Sequence, residues 1–242
     1  LLENALRDFR LAGVSLPADR KVRFGQGMER LATVQAKFDE NVLDATNAWS
    51  RHVADEAELA GLPANTVQRA RQTAEAAGQS GWLLSLDAPN YQAVMTHAES
   101  ERLRREFYEA WVTRASDQGP HAGQWDNSPL MAEILALRSE AANLVGFANF
   151  AEYSIATKMA RRTDEVLDFL RELARVSRPA AAREFAELEQ FAGRSLEAWD
   201  VAFYAARRKQ ARLVVSDDAL RPYFPLPRAL AGLPTVVTRL YG

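Results

Sequence analysis

Apolar residues recur at steps of three and four along most of this chain, and the runs they form predict helices. Phe24, Met28, Leu31, Phe38, Val42, Ala45 and Trp49 make one seam, broken only by polar Gln35, and so predict a single long amphipathic helix. Roughly 22 such residues span about 33 Å at 1.5 Å each, the diameter of a small domain. Core packing explains a stripe of this kind without any cofactor. Gly25 and Gly27 fall inside or just before this helix. Each would cost about 1 kcal/mol there relative to alanine, which favours a helix start later than the first seam residue.

Gly61-Leu62-Pro63 signals a turn, and the stretch from Asn65 to Ala77 predicts a second helix ending at Gly78. The pattern then changes. Gly81 to Asp87 (GWLLSLD) is short, apolar and bounded by turn residues, the best strand candidate in the chain. Leu103, Phe107, Ala110 and Trp111 mark a further helix, and Leu130, Ile134, Leu137, Ala141 and Leu144 mark the next, with Gly146 placed to stop it. The loop between them, Ala115 to Pro129, holds two glycines and two prolines. Asp126 or Asn127 is positioned there to cap the helix that follows.

Val166, Leu170, Leu173, Ala180, Phe185, Leu188 and Phe191 carry helical spacing across Pro179, where loss of one hydrogen bond should bend the helix. Leu196, Trp199, Phe203, Ala206 and Leu213 predict one more helix. Arg221 to Arg228 (RPYFPLPR) is too rich in proline for a helix interior and reads as an extended connection. No internal repeat, low-complexity tract or domain linker interrupts the sequence. The expected fold is all-α, with at most one or two short strands.

Composition narrows the function more than the fold. With 242 residues and 48% apolar content the chain can bury a substantial core. Thirty Lys and Arg against 32 Asp and Glu leave a formal charge of -2, which gives no electrostatic case for nucleic acid or an anionic membrane as partner. The absence of cysteine removes disulfides, thiolate zinc, iron-sulfur clusters and a cysteine nucleophile, and is compatible with a reducing cytoplasm. No apolar run approaches the roughly 18 residues that span a bilayer. The chain opens at Leu1-Leu2-Glu3-Asn4 without methionine, inside what reads as a helix, and closes at Leu240-Tyr241-Gly242 on apolar residues without a polar tail. Residues 1–242 are therefore expected to be a single helical segment of a longer protein.

The candidate chemistry is sparse. Zinc peptidases commonly set two histidines four apart on a helix, with glutamate after the first as general base. His52, His97 and His121 are followed by Val53, Ala98 and Ala122, so none begins that pattern. If helical, His52 with Glu56 and His97 with Glu101 would each share a face at i, i+4, a weak metal-binding pair or an ordinary surface ion pair. A carboxylate-bridged di-iron site needs glutamate three residues before histidine, and those positions hold Trp49, Val94 and Gln118. Gly25-Gln26-Gly27 lacks the third glycine of a dinucleotide loop, and no G-x-S-x-G elbow supplies a serine nucleophile. Arg207-Arg208-Lys209 reads as a solvated helix face or a contact for an acidic surface.

Three stretches carry a specific resemblance: TRASDQGP with WDN (113–127), GFANFAEYSIATKMA (146–160), and WDVAFY through RPYFPLP (199–227). In these, and along nearly its whole length, the chain resembles the oligopeptidase A and thimet oligopeptidase family of zinc metallopeptidases. The resemblance implies a zincin-type enzyme in which an HExxH helix and a later glutamate bind zinc. No position of this chain matches those residues, so no catalytic, cofactor-binding or metal-binding residue is assigned. What it implies for this segment is the helical wall of a deep channel that admits short, unfolded peptides. Trp125, Asp126 and Tyr153 are candidates to line that wall or to brace its loops. Pro234 stands where relatives tend to carry an aromatic residue, and should interrupt a terminal helix.

Three readings follow. The chain is an inactive scaffold segment of a peptidase that requires zinc and takes short peptides; or a non-enzymatic helical interaction module; or it builds an unrecognised site from His52, His97 or His121. The first makes this chain silent toward peptides by itself.

Overall fold

The computed structural model describes residues 2–213 and 223–242. Its architecture is the expected helical one: α1 (Leu2–Leu11), α2 (Ala18–Ala48), β1 (Ser50–Val53), a 3-10 turn (Glu56–Leu59), α3 (Ala64–Ala76), β2 (Trp82–Ser85), α4 (Ala88–His97), α5 (Glu101–Val112), α6 (Ser128–Leu144), α7 (Phe150–Ile155), α8 (Thr163–Ala192), α9 (Val201–Leu213) and α10 (Leu226–Tyr241). The two strands pair antiparallel, with Ser50 opposite Ser85 and Val53 opposite Trp82.

The main core forms around this hairpin. Val53, Leu59, Leu62, Ala70, Leu84, Leu86, Val94, Met95, Leu103, Phe107 and Ala110 are buried together, drawn from both strands and from α3, α4 and α5. Aromatic rings close its rim. Trp49 meets Phe107 edge to face with centroids 4.8 Å apart, and Tyr91 stacks on Trp111 at 4.3 Å. Gly61 permits the close approach that seals this core, because a Cβ there would lie 2.3 Å from the carbonyl oxygen of His97. A smaller cluster of Leu31, Val34 and Ile134, flanked by Phe38, Leu130 and Leu137, joins α2 to α6.

Helix α2 differs from its sequence reading at both ends. It starts at Ala18, so Gly25 and Gly27 lie in its interior. Nothing comes within 4 Å of a Cβ placed on either. Two exposed ion pairs, Arg23 with Glu140 and Arg30 with Glu133, connect this glycine-bearing half to α6. Trp49 caps the C-terminal end rather than extending the seam. The polar gap at Gln35 is filled by its neighbour Val34, which is 2% exposed.

Three other expectations need correction. Leu196 and Trp199 keep the apolar spacing but precede α9 in a turn, where the Asp200 amide donates to the carbonyl of Glu197 and the helix begins only at Val201. Within 221–228, residues 221 and 222 lie outside the described residues, Pro225 is extended, and Leu226-Pro227-Arg228 is already the first turn of α10. A proline in the first turn costs little, because its missing N–H has no helical acceptor there. Pro234 sits inside a continuous helix, α10, rather than interrupting it, and α8 runs across Pro179 as its spacing predicts. Both helices are largely exposed, so water can satisfy the carbonyl that each proline leaves without a donor.

Candidate functional site

The connection from α5 to α6, residues 113–127, carries the most distinctive motif in the sequence, and its backbone is tightly determined. Ala115 is buried and holds φ at 51°, a left-handed conformation uncommon for a residue with a Cβ. Its carbonyl accepts from the Asn127 amide at 3.0 Å, which ties the two ends of the loop together. Inside, the Ser116 hydroxyl donates to the Thr113 carbonyl at 2.8 Å and accepts from the Gln118 amide at 3.1 Å. Gly119 is obligatory, since φ is +80° and a Cβ would fall 1.9 Å from Thr113 Oγ1.

Asn127 anchors this loop to α2. It is 1% exposed, and its Nδ2 donates to the carbonyl of Phe38 at 3.1 Å. Its Oδ1 accepts from Asn41 Nδ2 at 2.8 Å, and Asn41 is buried as well. The cap of α6 is consequently divided between two residues. Asn127 occupies the cap position without a capping side-chain bond, while Asp126 Oδ1 accepts from the Ser128 amide at 2.9 Å and from its hydroxyl at 2.7 Å. Those two donors hold the Asp126 carboxyl below the usual carboxylate range.

The remaining candidates also brace the structure. Trp125 packs edge to face against His121. Tyr153, on α7, donates its hydroxyl to the carbonyl of Leu11 at 3.0 Å and packs against Phe147 and Phe150, and burial pushes its pKa up. Beneath the loop, the Arg114 guanidinium lies 3.5 Å above the Trp111 ring and donates to Thr46 Oγ1 at 3.1 Å.

The histidines are scattered. His52 lies on β1 with Nε2 against the carbonyl of Ser80 at 2.6 Å, and Glu56 opens the separate 3-10 turn, so the two share no helical face. His97 ends α4 while Glu101 begins α5, with caps at Ala98 and Ser100 between them. That pair is not on one helix either. Among the described residues no three His, Asp or Glu side chains converge as a group that could hold a metal ion. In the basic run on α9, Arg207 pairs with Glu99 at 2.8 Å and Arg208 pairs with Glu187.

Two buried polar contacts escaped the sequence reading. Asn41 stands three residues after Phe38 and four before Ala45, within the apolar seam of α2. A polar residue at such a position signals a buried partner. Arg104 is the other. It sits among the buried positions Leu103 and Phe107 and is 2% exposed, with Nη2 2.6 Å from Oδ1 of the fully buried Asp200. Its Nη1 donates to the carbonyls of Ala98 and Glu99, and Phe203 of α9 lies beneath it. Asp200 Oδ2 accepts in turn from Arg194 at 2.8 Å and from the Glu197 amide at 3.3 Å. This cluster joins the hairpin core to the C-terminal helices.

Comparison with known proteins gives one consistent result. The chain is 49% identical to Oligopeptidase A of Salmonella typhimurium and to Oligopeptidase A of Escherichia coli, and 44% identical to that of Haemophilus influenzae, each over 246 aligned residues and all of this chain. It spans 36% of the length of each. Dipeptidyl carboxypeptidase of Escherichia coli is similar at 27% identity, again across the entire chain. Residues 94–242 match the profile of peptidase family M3, which covers the Arg104–Asp200 cluster, the 113–127 loop and every element after them. This chain belongs to peptidase family M3.

Proposed function

We propose that this chain is the helical scaffold segment of a zinc metallo-oligopeptidase that hydrolyses short peptides, and that it is inactive alone. The observation that carries the reading is the end-to-end match, at 44–49% identity, to three bacterial proteins named Oligopeptidase A. In the longer enzyme, zinc would supply a polarising ion and an activated water. The ligands for it belong to sequence outside these 242 residues. This segment contributes channel wall: long helices locked by paired side chains hold a cleft at fixed width and so select substrates by size. The Asn41–Asn127 pair and the braced loop between α5 and α6 support that role, because they fix α6 against α2 through buried hydrogen bonds. A cytoplasmic location accords with a protein free of cysteine.

The test uses a short internally quenched peptide. The 242-residue chain should leave it uncut, whereas the longer peptidase chain containing it should cleave it, lose activity to a chelator and recover it with zinc. Cleavage by the short chain alone, or chelator-resistant cleavage by the long one, refutes the reading.

A second reading, a helical interaction module without enzymatic activity, draws on the apolar side chains that α8 and α10 expose. It requires the longer protein to be inactive on any short peptide, and the same assay separates the two.

A further inference from the structure

Many of the exposed large apolar side chains lie on two C-terminal helices, and a shorter stripe of Leu2, Leu6 and Phe9 lies on α1. On α10, Leu226, Leu230, Leu233, Val237 and Leu240 follow one another at steps of four and three, and their exposure runs from 47% to 69%. The first half of α8 presents Leu167, Phe169, Leu170, Leu173 and Val176, each at least 49% exposed. Its only buried residue, Leu188, lies near the opposite end. Stripes with this spacing are what a helix shows to a packed neighbour.

We infer that the exposed faces of α8 and α10 form one half of an intramolecular interface, and that its other half is the portion of an M3 peptidase which this chain does not contain. The inference rests on the function proposed above and adds the place where the scaffold meets the rest of the enzyme. Two observations favour this occupant over a second copy of the chain. The relatives that match the whole chain are about three times its length, since it spans 36% of each, so most of their polypeptide has no counterpart here. Both stripes also fall inside residues 94–242, the part that matches the family profile. The hairpin core, which buries its own apolar residues, offers no comparable surface.

These 242 residues have no cysteine, so single introduced thiols report their surroundings cleanly in the short chain, and any cysteine in the rest of the longer peptidase is first replaced by serine. Leu173→Cys on α8 and Leu233→Cys on α10 are compared with Asp44→Cys, an exposed position on α2, by maleimide labelling of the 242-residue chain and of the longer peptidase. Leu173 and Leu233 thiols should label at the control rate in the short chain and at least tenfold more slowly in the long one. Equal rates in a long protein that still cleaves peptide overturn the inference while leaving the proposed function intact. Slow labelling in the short chain, with a doubled mass by light scattering, also overturns it, because a second copy then covers the face. Protection in a long protein that cleaves no peptide upholds the interface and refutes the function instead.

Discussion

Removing the Asp200 carboxylate tests whether the buried ion pair joins the hairpin core to α9. In Asp200→Ala, the Arg104 guanidinium keeps its contacts with the carbonyls of Ala98 and Glu99 but loses its anionic partner among the described residues, at a site 2% exposed. An uncompensated buried charge of this kind costs about 3–5 kcal/mol. For a chain of this length each kcal/mol lowers the melting temperature by roughly 2–4 °C, so a fall of roughly 6–20 °C is expected in calorimetry. The partners are not equivalent. Arg104→Met leaves Asp200 with Arg194, which reaches solvent, and with the Glu197 amide. Its penalty should therefore be the smaller. The double variant should cost less than the two single penalties combined, since it leaves neither charge alone. A loss under about 1 kcal/mol for Asp200→Ala, or strict additivity, would refute the claim that these charges depend on each other.

Asn127→Ala should cost about 1–3 kcal/mol, because Asn41 Nδ2 and the Phe38 carbonyl each lose a buried partner; urea unfolding measures it, and Asp126→Ala, at an exposed cap, should cost less. Gly25→Ala and Gly27→Ala should each stabilise by about 1 kcal/mol, since both positions are helical and open; a melting temperature that stays level or falls contradicts this. Burial raises the Tyr91 pKa, helped by neighbouring Tyr108 and opposed by Arg114, so the folded state favours the neutral phenol. Its contribution to stability is complete below the ordinary tyrosine pKa and is lost as pH rises through the folded value. Tyr91→Phe should flatten the alkaline decline in melting temperature, and an unchanged decline would exclude Tyr91 as its source.

Most helices were legible because their apolar period is long and sustained, as in α2, α6 and α8. The elements that escaped are those whose conformation comes from a partner or a cap. Ser50-Arg51-His52-Val53 is too short and polar to read as a strand, and is one only because Trp82 to Ser85 pairs with it. Helix α4 has weak periodicity, but its start was written in Asp87-Ala88-Pro89, where the Asp87 carboxylate accepts from the Asn90 amide at 2.9 Å. Leu196 and Trp199 misled because burial against α5 demands apolar residues from a turn as well as from a helix; Trp199 packs against Tyr108. Within the candidate site, the cap at Asp126 followed from its distance to Pro129. The Asn41–Asn127 pair did not, because nothing local links two residues separated by 86 positions. The family could be read from three motifs, which need no knowledge of packing.

The profile of the family begins at residue 94, in the middle of α4, whereas the main core draws on residues from Val53 to Ala110. The upstream part of that core is nevertheless covered by the relatives, whose similarity runs over the entire chain. Trimming to residue 94 would remove Val53, Leu59, Leu84 and Leu86 from the cluster that buries Phe107, leaving α5 with Val94, Met95 and the contacts of Asp200, Trp199 and Phe203. A folding unit built on this core has to reach upstream through the hairpin, beyond the residues that the family profile matches.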